Sequence, residues 1–128
     1  LRATLLAAKS IAYADPARGA TAGAHFATVL QALGLREQLA ARITVLPFGV
    51  DVIEAVAAGR FELGISQSSE IVQHASVRYV GALPAPYRLA TRYQAAALKG
   101  RTNGAALLRY LAGPAGQAAS RKSGFAAP

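Results

Sequence analysis

Cysteine and tryptophan are absent from the 128 residues, and acidic residues number only six. Without cysteine, a zinc ribbon, a disulfide framework and a thiol nucleophile are all excluded. Every apolar stretch is broken by Arg, Gly or Pro well short of spanning length, so no transmembrane helix is expected. What is present is a chain that is 53% apolar and 16% charged, too hydrophobic to stay disordered. It is one domain's worth of sequence. A chain of this size removes roughly two thirds of its unfolded surface from water on folding.

Fourteen basic residues give a net charge of +8, which raises nucleic acid as a partner. The distribution argues against it. Arg2, Arg18, Arg36, Arg42, Arg60, Arg78, Arg88, Arg101 and Arg109 stand singly, most at the expected ends of elements. No basic helix face forms, and no aromatics alternate with the arginines as a stacking platform requires. A solvated basic surface, or one facing a small anion, fits the pattern better. The chain opens Leu1-Arg2-Ala3-Thr4 with no initiator methionine and no basic-then-apolar leader, so it reads as part of something longer with any export signal upstream.

Leu1 to Ala8 has helical composition. Ser10 to Ala14 reads as a strand closed by Asp15-Pro16, because proline turns the preceding residue away from helix. A loop at Ala17 to Ala20 leads to a helix from Thr21. Its apolar positions Phe26, Val29, Leu30 and Leu33 form one stripe, with Gly34 at a left-handed cap. Leu35 to Ala41 suits a further short helix. Ile43 to Leu46 is a second strand, and Asp51-x-x-Glu54 resembles a capping box that opens the next helix, which ends at Gly59. Phe61 to Ser66 is a third strand, Gln67 to Glu70 a loop, and Val77 to Leu83 a fourth strand. Strands alternating with helices over short connections predict an open α/β sheet of parallel strands with right-handed crossovers. Beyond Pro86, Tyr87 to Leu98 suits a strand passing to another sheet. A helix at Gly104 to Leu111 is stopped by Gly113, and Pro114 starts a last helix that ends near Gly124.

Open parallel sheets bind ligands beyond the carboxyl ends of their strands. Three segments lie there: Asp15 to Gly23, Phe48 to Val52, and Ser66 to Glu70. Two of them lead into helices whose first amides have no partner within the helix and, with the helix dipole, suit a small oxyanion. Such a site needs no lysine. The candidate ligand-binding residues are Thr21, Ala22, Gly23, Asp51, Val52, Ser66 and Gln67. Each also has a plainer role. Asp51 fits a cap of its own helix and would repel an anion if turned inward. Thr21 and Ala22 can simply begin a helix, and Ser66 and Ser68 can be turn residues. His25 fits packing on a polar face better than a ligand role, His74 falls in a surface turn, and Arg18 is solvated unless its loop swings it over an anion. No carboxylate pair, His-x-x-x-His, Walker-type or Gly-x-Ser-x-Gly pattern occurs, and the spacing does not support a Ser66, His74 and Asp51 triad. Neither an enzyme nor a cofactor is expected.

The run Ser10-Ile11-Ala12-Tyr13-Ala14-Asp15-Pro16, the helix opened by Ala22-Gly23 and ended by Leu33-Gly34-Leu35, and Val52 to Gly59 with Leu63-Gly64-Ile65 together resemble the second lobe of molybdate-type, type II periplasmic substrate-binding proteins of ABC transporters. Leu107 to Gly116, closed by Gly124-Phe125, resembles that family's C-terminal helices. The resemblance implies that residues 1–88 are a second lobe. Residues 89–128 would be a crossover strand and helices returning to a first lobe truncated at its N-terminus. It implies capture of a small oxyanion such as molybdate or tungstate between two lobes, with amides from Ala22 and Val52, a membrane permease as partner, and a periplasmic location. Gln67 stands where the family carries a tyrosine, so a small organic carboxylate is an alternative ligand. Half a cleft would bind weakly alone, and the stripe Leu107, Tyr110 and Leu111 offers a contact for a homodimer. The rival reading is an effector-sensing domain of a transcription regulator with the same fold; an enzyme of that fold stands behind it.

Overall fold

The computed structural model of the protein describes residues 1–100 and 102–125; Arg101, one of the isolated arginines, lies outside them. The chain forms two compact units, Leu1–Leu89 and Ala90–Pro128.

The first unit runs α1 (Arg2–Ala7), β1 (Ile11–Ala14), α2 (Thr21–Ala32), α3 (Arg36–Leu39), β2 (Ile43–Leu46), α4 (Gly49–Ala57), β3 (Leu63–Ile65) and α5 (Ser68–Ile71). Its three strands form an open parallel sheet in the order β2-β1-β3, with Ile11 level with Ile43 and Leu63. Helices flank the sheet, as the alternation of strand and helix requires.

The central strand β1 sorts its side chains by parity, because successive residues of a strand face opposite sides. Ile11 joins a cluster with Leu5, Phe26, Val29, Leu30, Leu35 and Leu39, all buried, and Tyr13 packs against it. The Tyr13 and Phe26 rings meet edge to face at 5.4 Å, a favoured aromatic geometry. Ala12 and Ala14 face the other way, onto Val52 of α4. That second face is floored by small residues. Gly64 lies level with Ala12, and a Cβ there would press on Val56 and Val52 methyls at 2.8 and 2.9 Å. Alanine and glycine therefore let α4 lie close to the sheet, which fixes where its first turn emerges.

Polar contacts tie the bottom of the sheet together. The Arg42 guanidinium donates to the Leu6 and Ala8 carbonyls at 2.8 and 2.9 Å, where the last carbonyls of α1 lack helical partners. Glu62 accepts from the Lys9 amide at 2.8 Å, and Ser10 accepts from the Glu62 amide at 3.0 Å. His25 donates through Nε2 to the Tyr87 carbonyl at 2.7 Å, so this histidine serves packing and anchors the end of the unit.

Three expectations need correction. Val77 to Leu83 is irregular rather than a fourth strand, with Val80 80% exposed. Tyr87 to Leu98 is likewise without strand structure. β-branched and aromatic composition supports a strand only where a neighbouring strand supplies hydrogen bonds and a face to pack on, and neither segment pairs with the sheet. The expected loop at Gln67 to Glu70 contains the short helix α5. There Glu70 reaches back to the Gln67 amide, a spacing that closes a helical turn.

The second unit holds α6 (Thr102–Ala112) and α7 (Pro114–Lys122). Gly113 separates them and Pro114 opens α7, where a missing N–H costs nothing. Gly116 lies against the backbone of Tyr110 and Leu111 so closely that a Cβ would overlap them. Tyr93 and Phe125 meet edge to face at 5.6 Å.

Candidate functional site

The connection after β1 is folded by local chemistry. The Asp15 amide donates to the Leu46 carbonyl at 2.8 Å, extending the β1–β2 ladder by one bond. Asp15 Oδ1 accepts from the Ala17 amide at 2.9 Å, which holds a single 3-10 turn at Pro16–Arg18. Gly19 then adopts φ 80°, a left-handed conformation that glycine reaches without steric cost, and the chain turns into α2. Gly23 brings that helix hard against the sheet, for a Cβ there would overlap the Ala14 carbonyl. The first helical bond of α2 runs from the Ala24 amide to the Ala20 carbonyl at 2.9 Å. The amides of Thr21, Ala22 and Gly23 thus have no acceptor within the helix.

The connection after β2 is shorter. Phe48 is extended at φ −134°, ψ 164° and serves as the N-cap of α4. Its amide donates to Asp51 Oδ2 at 2.9 Å. Asp51 therefore caps the helix from its third position, reaching back one turn, and the helix begins at Gly49 rather than at Asp51. The Val52 amide donates to the Phe48 carbonyl at 3.3 Å, and the Val52 side chain is fully buried on Ala12 and Ala14. The amides without helical acceptors at this end are those of Gly49, Val50 and Asp51. Val52 is thus a core residue, and Gly49 and Val50 take the place expected for it.

After β3, the Ser66 hydroxyl donates to Glu70 Oε2, and the Gln67 amide donates to the same oxygen at 3.3 Å. Ser66 and the Glu70 carboxylate lie directly against Gly49, where any side chain would overlap both. Glycine at the start of α4 is what allows the third connection to close on the second.

These three connections surround one pocket of about 220 Å3 at the carboxyl ends of the strands. Of the seven candidates, Thr21, Ala22, Ser66 and Gln67 line it. Gly23, Asp51 and Val52 stand behind the wall: Gly23 sets the helix–sheet distance, Asp51 caps α4, and Val52 packs in the core. Phe48, Gly49, Val50 and Glu70 line the pocket with them; the sequence placed all four in segments at the strand ends without naming them individually as ligand-binding. One signal could have located them. Phe48-x-x-Asp51 and Gln67-x-x-Glu70 share the spacing by which an acid at the third helical position reaches back to the N-cap amide.

Both signs of charge meet here. The beginnings of α2 and α4 supply oriented amides and the positive ends of two helices. Arg18, on the rim, lies 5.5 Å over the Phe48 ring and 3.9 Å from Asp15. Glu70, half-buried, contributes a carboxylate to the wall. The apolar rim residues Phe48 and Val50 are exposed. Ser66 is engaged by Glu70 rather than by a histidine. His74 instead accepts from the Ser76 amide at 3.4 Å, so Ser66 and His74 are engaged with different partners. Among the described residues no cluster of three or more His, Asp or Glu is placed to hold a metal ion, and no helix is long and apolar enough to cross a membrane.

A pocket walled by helix beginnings at strand ends is a binding geometry. Residues 1–126 match the family described as bacterial extracellular solute-binding protein. No curated protein and no solved structure matches the chain. The match over nearly its whole length supports the solute-binding part of the resemblance seen in the sequence and does not extend to a molybdate-type ligand; the chain belongs to the family of bacterial extracellular solute-binding proteins.

Proposed function

We propose that the pocket at the strand ends is the half-site of a small-anion binding protein. Leu1–Leu89 would act as one lobe, and the solute would be enclosed when a second lobe closes over the exposed rim of Phe48 and Val50. The loaded protein would then deliver its cargo to the permease of an ABC importer, in the periplasm or at the outer face of the membrane. Binding and closure suffice for this role, with no covalent chemistry.

The observation that carries the reading is that the first turns of α2 and α4 line one pocket. Their unpaired amides give a concentration of neutral donors and positive dipole ends suited to a small oxyanion such as molybdate or tungstate, or to a small organic carboxylate.

The test is a thermal-shift and calorimetric screen of the full-length gene product against molybdate, tungstate, sulfate, phosphate and small carboxylates. A true ligand at a hundredfold excess over its Kd stabilises the fold by about 2.7 kcal/mol, a clear rise in Tm. Failure of every anion to shift Tm or release heat would remove the anion reading and leave solute binding without a ligand class.

A further inference from the structure

We propose that Glu70 sets the solute class of this pocket: it selects a singly charged anion that carries its own hydrogen-bond donor, and it rejects a fully deprotonated dianion. A hydroxycarboxylate has that chemistry, and so does dihydrogen phosphate, a singly charged inorganic oxyanion that carries protons. The proposal rests on the anion-capture reading above and narrows it.

The argument starts from position. The Glu70 carboxylate is seated against Gly49, the first residue of α4, so it stands beside the helix beginning that an incoming anion would seek. In a pocket of about 220 Å3 a bound anion cannot sit far from it. Like charges held at such separation, out of bulk water, repel strongly, and a dianion feels twice the repulsion of a monoanion. A carboxylate presents about four acceptor positions. The Ser66 hydroxyl and the Gln67 amide approach one oxygen, which leaves acceptor capacity for a solute O–H or N–H. That contact would be charge-assisted and correspondingly strong.

The rest of the wall fits a ligand of mixed character. Arg18 lies on the rim by Phe48, and with it the pocket-lining side chains carry one positive and one negative charge. The anionic end of the solute would face the α2 beginning and Arg18, and its donor would face Glu70. A dianion without protons satisfies the first wall and offends the second.

The experiment is calorimetric titration of the full-length product with matched solutes: glycolate against acetate, lactate against propionate, and both hydroxy acids against sulfate and molybdate. Glycolate and lactate should bind more tightly than their unhydroxylated partners, and more tightly than either dianion by about tenfold or more. In Glu70→Gln, which keeps an acceptor for Ser66 and Gln67, sulfate and molybdate affinity should rise about tenfold, and the hydroxyl preference should shrink. Dihydrogen phosphate titrated against glycolate separates an inorganic from an organic solute, and phosphate should bind more weakly above its second pKa, where the dianion prevails. The comparison of hydroxylated and plain carboxylates in the unaltered protein stands even if the variant does not fold. A preference for molybdate or sulfate in the unaltered protein, or a dianion-to-glycolate ratio unmoved by Glu70→Gln, overturns the role of Glu70 and leaves anion capture standing. Absence of binding to every anion overturns both.

Discussion

The two units of the chain bury their apolar residues very differently. In Leu1–Leu89, thirteen apolar residues between Leu5 and Ala55 are buried, on both faces of β1. In Ala90–Pro128, Gly116 is the buried residue among those described, and Leu107 and Tyr110 are 57% and 56% exposed. The contrast follows from architecture. A parallel sheet with crossover helices covers its central strand on both sides and closes a core by itself. A two-helix hairpin offers each helix one neighbour, so α6 leaves Leu107, Tyr110 and Leu111 exposed, although helices this short depend on packing for stability.

Substitutions can break or sharpen this comparison. Phe26→Ala empties the largest fully buried side chain of the first unit and should cost about 4 kcal/mol, read as a lowered midpoint in urea unfolding. Gly23→Ala places a methyl on the Ala14 carbonyl. Because backbone rather than a flexible side chain must yield, about 2 to 3 kcal/mol should be lost. The displaced α2 beginning should also weaken any solute bound in the pocket, a coupling measurable by titration. Leu107→Ser in the second unit should change stability by less than about 0.5 kcal/mol if its face is solvated. A loss of about 2 kcal/mol or more would instead show that this face is covered in solution. Light scattering on the same variant and its parent would then tell whether a second copy of the chain provides the cover.

Much of the first unit was legible in the sequence. The stripe of Phe26, Val29, Leu30 and Leu33 identifies α2, and Gly34, at φ 65°, ends it as its position suggests. The strands β1 and β2 follow from short β-rich runs closed by Asp15-Pro16 and Pro47. The same signals misplace the beginning of α4. Asp51 looks like an N-cap because aspartate prefers that position, yet it caps from one turn inside, where its carboxylate reaches the Phe48 amide. Val77 to Leu83 has strand composition but no partner strand. Composition records what a segment could bury, whereas strand formation depends on a neighbour elsewhere in the chain.

The candidate site divides in the same way. Its location at the strand ends follows from the alternation of strand and helix, and Thr21, Ala22, Ser66 and Gln67 were legible on that basis. Glu70 was not. Its entry into the pocket requires Gly49, twenty-one positions earlier, to present no side chain, together with Ser66 and the Gln67 amide converging on one oxygen.

Local patterning by itself determined the α/β class, the order of elements from α1 to β3 and the break between α6 and α7, because periodicity, caps and turn residues act within a few positions of one another. Tertiary structure alone decided which helix beginnings share a pocket, that Val52 lies in the core behind it, and that a carboxylate stands in its wall. Those outcomes depend on how closely α2 and α4 approach the sheet. That approach is set by Gly23 beneath one helix and by Ala12, Ala14 and Gly64 beneath the other, in contacts between residues far apart along the chain.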